Sequence, residues 1–259
     1  MDNQVFLTVV GFGEPEGAQG SGERVALFSA TSDGTATNSL DGNDPAGLQV
    51  DVTTDTFIIG GWVKVNTIGV AGVRVIFTNG DNTADSQYYS LEMNDEGTVR
   101  IRMISTAAST ASAGSIPNLT EGVAAFVLGW WDGTELHIKI NAEAAVDAGV
   151  IPALPTPTGE IRVFANTDAT NGFNGTLDEW FFCKNPPDMS AALTLIGSTI
   201  YAAGSGTHYA NLSAANHTTL GLVSWWGFDE AAGATRLDLH GDNDLTLNGT
   251  ITQTDPLAN

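Results

Sequence analysis

The sequence predicts an all-β protein built as a two-sheet antiparallel sandwich, and three observations carry that expectation. Thirty glycines, with abundant Thr, Ser, Asn and Asp, are spread through all 259 residues instead of gathering in one linker. They punctuate short runs that are either apolar or alternate apolar with polar residues, the period of a half-buried strand. A hydrophobic fraction of 42%, six Trp and only 15% charged residues supply a core, so the chain is no disordered acidic tail. At this length one large β domain suits the pattern as well as two small ones.

In chain order, the expected strands are Phe57 to Val65, Val73 to Thr78, Tyr88 to Met93, Thr98 to Met103, Ala124 to Trp131, Glu135 to Ile140, Ile161 to Phe164, Leu177 to Cys183, Leu222 to Phe228 and Leu245 to Thr252. Tyr88 to Met93, the turn Asn94-Asp-Glu-Gly97 and Thr98 to Met103 read as a hairpin. Its second strand alternates, with Val99, Ile101 and Met103 facing in and Arg100 and Arg102 facing out. Asp132-Gly133 marks a second turn, before Glu135 to Ile140. One segment reads as a short helix near 188–196: Asp188 is the N-cap of Met189 to Ile196, with Pro187 before it and Gly197 after it. Thr106 to Gly114 and Ala142 to Gly159, low in complexity or Pro-containing, read as surface loops.

Charge narrows the function classes. Nine Lys and Arg face 30 Asp and Glu, a formal charge of -21, and the few cations are scattered. Phosphate recognition needs clustered cations, so nucleic acid is excluded as a partner, and anionic membrane surfaces are disfavoured for the same reason. No apolar run reaches the roughly 18 residues of a membrane span. Met1 to Thr8 has neither a basic nor a long apolar region, so the sequence as given shows no Sec signal. A single cysteine, Cys183, excludes an internal disulfide and a multi-thiolate zinc site; within Trp180-Phe-Phe-Cys183 it reads as an inert buried thiol.

Three segments together resemble the laminin G-like, concanavalin A-like jelly-roll superfamily of lectins and glucanases. Leu177-Asp-Glu-Trp-Phe-Phe-Cys-Lys-Asn-Pro-Pro-Asp-Met-Ser190 looks like its closing strand and the helix that follows. Phe57-Ile-Ile-Gly-Gly-Trp-Val-Lys-Val65 looks like its central Trp-bearing strand. Gly221-Leu-Val-Ser-Trp-Trp-Gly-Phe-Asp-Glu-Ala-Ala-Gly233 with Asp238-Leu-His-Gly-Asp-Asn-Asp-Leu245 looks like its opening strand and acidic loop. The resemblance implies a jelly roll, but the opening-strand motif lies at the C-terminus. Residues 1–219 are therefore expected to form the main sandwich. Residues 220–259 then either complete the same sheet as a permuted strand or pair with a neighbouring subunit. Gly11 to Ala18 matches Gly227 to Ala234 at five of eight positions, an echo that keeps the second option open beside coincidence.

The resemblance also bears on chemistry. Relatives that cleave β-glucans carry a Glu-x-Asp-x-Glu strand, and none occurs here. The adjacent acids Asp178-Glu179 are expected on opposite faces of a strand, and Asp95-Glu96 in a turn, so the chain is expected not to be an enzyme. Among four histidines no zinc-type spacing occurs, and His137, alternating outward with Glu135 and Lys139, reads as solvated. Neither a Gly-x-Ser-x-Gly elbow nor a Gly-rich phosphate loop is present. The cofactor implied by the resemblance is a structural Ca²⁺, held by Asp178, Asp229, Glu230, Asp238 and Asp242; the alternative is that Asp238 to Asp244 is an Asx-rich turn and Asp178 a local cap. Candidate ligand or interface aromatics are Trp130, Trp131, Trp225, Trp226 and Tyr209, with Tyr88 and Tyr89. One ring of each Trp pair is expected at the surface, while Trp62 and Trp180 are expected in the core.

These readings converge on a non-catalytic structural or interaction protein. The leading expectation is a phage virion component, a capsid decoration or tail protein, with neighbouring subunits as partners and glycans as a second partner class. A secreted bacterial carbohydrate-binding or surface-layer module is the rival, and a glycoside hydrolase ranks third. The expected location is virion or extracellular.

Overall fold

The computed structural model describes residues 29–35, 38–42, 47–69, 71–80, 88–106, 109–114, 117–150, 160–165, 172–230 and 235–254. They form sixteen strands: β1 (Ser29–Asp33), β2 (Ser39–Gly42), β3 (Phe57–Val65), β4 (Arg74–Asn79), β5 (Tyr88–Met93), β6 (Val99–Thr106), β7 (Ser109–Gly114), β8 (Ala124–Trp131), β9 (Glu135–Ile140), β10 (Val146–Val150), β11 (Ile161–Val163), β12 (Asn174–Lys184), β13 (Leu222–Trp226), β14 (Thr235–Arg236), β15 (Leu245–Asn248) and β16 (Thr252–Thr254). Two eight-stranded sheets face each other. The first runs β10-β9-β8-β3-β12-β1-β16, with β13 also paired to β12; the second runs β14-β15-β2-β11-β4-β5-β6-β7. The all-β sandwich is as expected, and β3, β5, β8 and β9 have the expected bounds.

Alternation on each strand builds the space between the sheets. On β9, Leu136, Ile138 and Ile140 are buried between polar neighbours, as are Val99, Ile101 and Met103 on β6. The expected hairpin turn closes through Asn94, whose Oδ1 accepts from Glu96 N (3.0 Å) and Thr98 N (2.9 Å). The inter-sheet core joins Phe57, Val63, Trp131, Trp180 and Trp226 from the first sheet to Phe77, Tyr89 and Leu91 from the second.

The outer face of the first sheet has a core of its own. A helical segment follows β12: α1 (Met189–Leu195), a π turn (Ile196–Ile200), two short 3-10 turns and α2 (Ala214–Leu220). It lays Ala192, Ile196, Ile200, Leu212 and Leu220 over Ile58, Trp62, Phe126, Trp130, Phe181 and Trp225. Asp188 caps α1 as expected, accepting from Ala191 N (3.0 Å). The second helix, α2, is an addition to the expected single helix. Its signals were present in the sequence: Ser213 caps it, and Gly221 ends it in the left-handed region at φ 59°, where a Cβ would meet Lys184 O at 2.6 Å.

Other strands depart from expectation where side chains are small or polar. The segments expected as loops hold β7 and β10, edge strands whose backbones complete the ladders with β6 and β9; residues 151–159 lie outside the described residues. The expected strand Leu245 to Thr252 divides at Gly249 (φ 77°), so that β15 pairs with β2 and β16 with β1 in the opposite sheet. Leu222–Trp226 pairs with β12 in this chain. The echo segment Gly11 to Ala18 lies outside the described residues.

Candidate functional site

The candidate site lies on the outer face of the first sheet, where β12 and β13 meet the helical segment, and a bulge creates it. The β12–β3 register runs from Asp178 opposite Trp62 to Phe181 opposite Gly60, so Glu179 and Trp180 share the place of one residue. Glu179 takes φ 47° there. Gly61 makes room: a Cβ on it would lie 2.4 Å from Trp180 Cε3 and 3.0 Å from Glu179 O. Leu177 and Trp180 remain in the inter-sheet core. Asp178, opposite outward Trp62, and Glu179, bonded to outward Trp225, both face the helical layer. The expectation that adjacent acids point to opposite faces is therefore overturned, because the extra residue breaks the period of two.

Both carboxylates are buried. Glu179 accepts hydrogen bonds from Trp225 Nε1 and from His208 Nδ1, the latter also an ion pair. Burial alone would lower the His208 pKa. The hydrogen bond and charge of Glu179, with the charges of Asp178 and Asp229, outweigh that effect and hold it above the ordinary histidine value. Beside it, Tyr209 stacks on His217 (4.9 Å, 8°) and its hydroxyl lies 3.2 Å from His240 Nδ1. His217 is shifted down by burial and by the neighbouring His240.

The loop after β13 is organised by Asp238. Its Oδ1 accepts from Trp225 N (2.9 Å), His240 N (3.0 Å) and Gly241 N (3.0 Å), and its Oδ2 from Asn243 N (3.2 Å). Glu230 Oε1 accepts from Leu237 N (2.7 Å), Asp244 Oδ1 from Asp238 N (2.8 Å), and Asp242 is exposed. Of the five acids expected around Ca²⁺, the structure thus brings Asp178 and Asp229 to a histidine, commits oxygens of Glu230 and Asp238 to backbone donors, and leaves Asp242 outside. A Ca²⁺ cage needs six to eight oxygens converging on one point. This donor set, with His208 hydrogen-bonded among the acids and backbone donors on Glu230 and Asp238, does not fit it.

The aromatic expectations change as well. Alternation holds within both Trp pairs, with Trp131 and Trp226 inward and Trp130 and Trp225 outward. Yet all four are buried, so the expected exposure of one ring per pair is corrected: the second core covers the outward rings. Trp62, Trp180 and Tyr89 are buried, the side chain of Tyr88 lies outside the described residues, and Tyr209 is half-buried.

A second constellation lies on the β8–β9–β10 side of the same outer face. Among the described residues, the one group of three or more His, Cys, Asp or Glu side chains with ligand atoms within 4.8 Å of one another is Glu135, His137 and Asp147. His137 is not solvated as expected. Its side chain is 13% exposed, stacked on Trp130 (4.8 Å, 14°) and held by Asp132 and Asp147.

Sequence reasoning missed His208, His217, His240 and the His137 group because none has a motif spacing. One usable signal existed, the Gly60-Gly61 pair in mid-strand, which marks close backbone approach and a bulge.

Comparison with known proteins agrees with this architecture. A family model described as the concanavalin A-like lectin/glucanases superfamily matches residues 31–184, more than half of the chain. No curated protein sequence gives a significant match. Among solved structures, a native heptameric SAP-like pentraxin from Limulus polyphemus superposes with a TM-score of 0.51 at 10% identity, over 91% of this chain and 98% of that one. Domains LG4-5 of the mouse laminin alpha1 chain give a TM-score of 0.46 at 12% identity, over 68% of this chain and 47% of theirs.

Proposed function

The chain belongs to the concanavalin A-like lectin/glucanase superfamily, and from that premise we propose that it is a non-catalytic interaction protein of a virion, a decoration or tail component that docks on neighbouring subunits. The observation that carries the proposal is the loop pinned by Asp238, which presents Leu237 (48% exposed) and Leu239 (41% exposed) on either side of its anchor. Copies carrying a charge of -21 repel one another, so their contacts must rest on apolar surface or paired strands. A pinned apolar pair loses little entropy on docking. The absence of disulfides suits a protein made in a reducing compartment that then works outside the cell. Asp178 and Glu179, the nearest approach to a glycosidase carboxylate pair, are enclosed beneath the helical layer instead of lining an open cleft.

Particles purified from the source will contain the chain by mass spectrometry, and Leu237→Ser with Leu239→Ser will release it from them while leaving its melting midpoint unchanged. A chain absent from particles and monomeric at all concentrations refutes the proposal. Tyr209 favours a second reading, glycan binding, because its half-buried ring is held flat by His217 at the surface of the site. A glycan array with Tyr209→Ala as control tests it: signal lost in the variant supports a sugar platform, and no signal for either protein removes it.

A further inference from the structure

We propose that Glu135, His137 and Asp147 form a binding site for a divalent transition-metal ion of the Zn²⁺ class, independent of the Asp238 loop. The sheet builds the site by register. His137 lies directly opposite Trp130 on β8 and directly opposite Asp147 on β10, and Glu135 shares its face two residues earlier. A shift in the β9–β10 register after Asp147 follows, at the edge of the sheet.

Each ring nitrogen of His137 faces a carboxylate, and a metal ligand is the tautomer that carries its proton on Nε2. Asp132 is fixed by the turn before β9, where its Oδ1 accepts from Thr134 N (2.7 Å) and Glu135 N (2.8 Å). Its Oδ2 lies 3.0 Å from His137 Nε2 and accepts the N–H of that tautomer. In that tautomer Nδ1, 2.5 Å from Asp147 Oδ1, is the nitrogen open to a metal. In the metal-free protein a proton closes this contact, and a metal bound here takes that proton's place between the imidazole and the carboxylate.

The carboxylate–histidine pair is the arrangement that orients an imidazole toward a metal and strengthens it as a ligand. Nδ1 of His137, Asp147 and Glu135 make one nitrogen and two carboxylate ligands within 4.8 Å of one another. Zn²⁺ takes such ligands at about 2.0–2.2 Å and accepts water in a fourth position. Ca²⁺ selects oxygen-only shells, so an imidazole ligand points away from it. Three carboxylates, counting Asp132, offset a 2+ charge, and the protein's net charge attracts the ion.

The test uses tag-free protein, stripped with chelator and titrated calorimetrically with Zn²⁺ and separately with Ca²⁺. One Zn²⁺ per chain is expected, with Ca²⁺ giving no heat at this site. His137→Gln and Asp147→Asn abolish binding, and Asp132→Ala, which loses the orienting contact together with the turn bonds to Thr134 N and Glu135 N, weakens it about 10–100-fold. Cu²⁺ provides an independent readout: it quenches part of the Trp fluorescence through Trp130 in the parent and not in His137→Gln. Asp147 is 53% exposed, and its Asn variant tests the site even if the His137 variant unfolds. No saturable Zn²⁺ binding, or binding unchanged in Asp147→Asn, overturns the proposal and leaves a proton as the bridging cation.

Discussion

Asp238 is the residue on which the loop after β13 should stand or fall. Asp238→Ala removes an acceptor for four backbone N–H groups. Trp225 is fully buried, so no water reaches its N–H, and leaving that donor unsatisfied costs about 1–3 kcal/mol. The His240, Gly241 and Asn243 donors lie in a partly exposed loop where water can replace the carboxylate, at about 0.5–1 kcal/mol each. The expected loss is therefore about 2.5–6 kcal/mol, a large share of the 5–15 kcal/mol that stabilises a typical domain. Asp238→Asn keeps one carbonyl acceptor and gives up the charge and the contact with Asn243 N, for about 1–2 kcal/mol. Urea unfolding followed by Trp fluorescence reads the effect as a lower midpoint at constant slope. An Asp238→Ala midpoint within about 0.5 kcal/mol of the parent would refute the reasoning, because the loop would then be held by something other than this carboxylate.

Three further outcomes follow from the same face of the sheet. The folded pKa of His208 is raised, so its contribution to stability is complete below the unfolded value of about 6.5 and is lost as pH rises through the folded pKa. Melting midpoints should fall over that rise in the parent and stay flatter in His208→Gln; equal slopes would remove the ion pair with Glu179 as the cause. Gly61→Ala sets a Cβ against Trp180 Cε3 and the Glu179 carbonyl and should cost about 3 kcal/mol, whereas Gly197→Ala, with nothing within 4 Å, should change stability by less than about 1 kcal/mol. Burial pushes the Cys183 thiol far up, so a disulfide reagent should modify it only in denaturant; fast labelling of the native protein would show that the second core opens.

The inner faces of the strands were legible because their chemistry is local. Val99, Ile101 and Met103 alternate with two arginines, and Leu136, Ile138 and Ile140 with His137 and Lys139, so each strand announces its core side without reference to any other. β7 and β10 were illegible for the opposite reason. Ser109–Gly114 and Val146–Val150 are strands because a neighbouring backbone offers a ladder, and small side chains carry no pattern that reports it.

Outward-facing residues posed a different difficulty, because alternation fixes a side chain's direction and leaves open what stands opposite. Trp130 and Trp225 both point away from the inter-sheet core, as the period of two requires, and both are buried by a helical layer that begins five residues after β12. Their roles then diverge through cross-strand partners. Trp225 meets Phe181 and donates to Glu179, which a bulge has turned outward; Trp130 meets His137 and becomes the floor under its imidazole. Both sites thus depend on register between strands distant in sequence. Motif spacing along one strand therefore missed the histidines at both sites, while the mid-strand Gly60-Gly61 pair, a backbone signal, marked the one place where register had to slip.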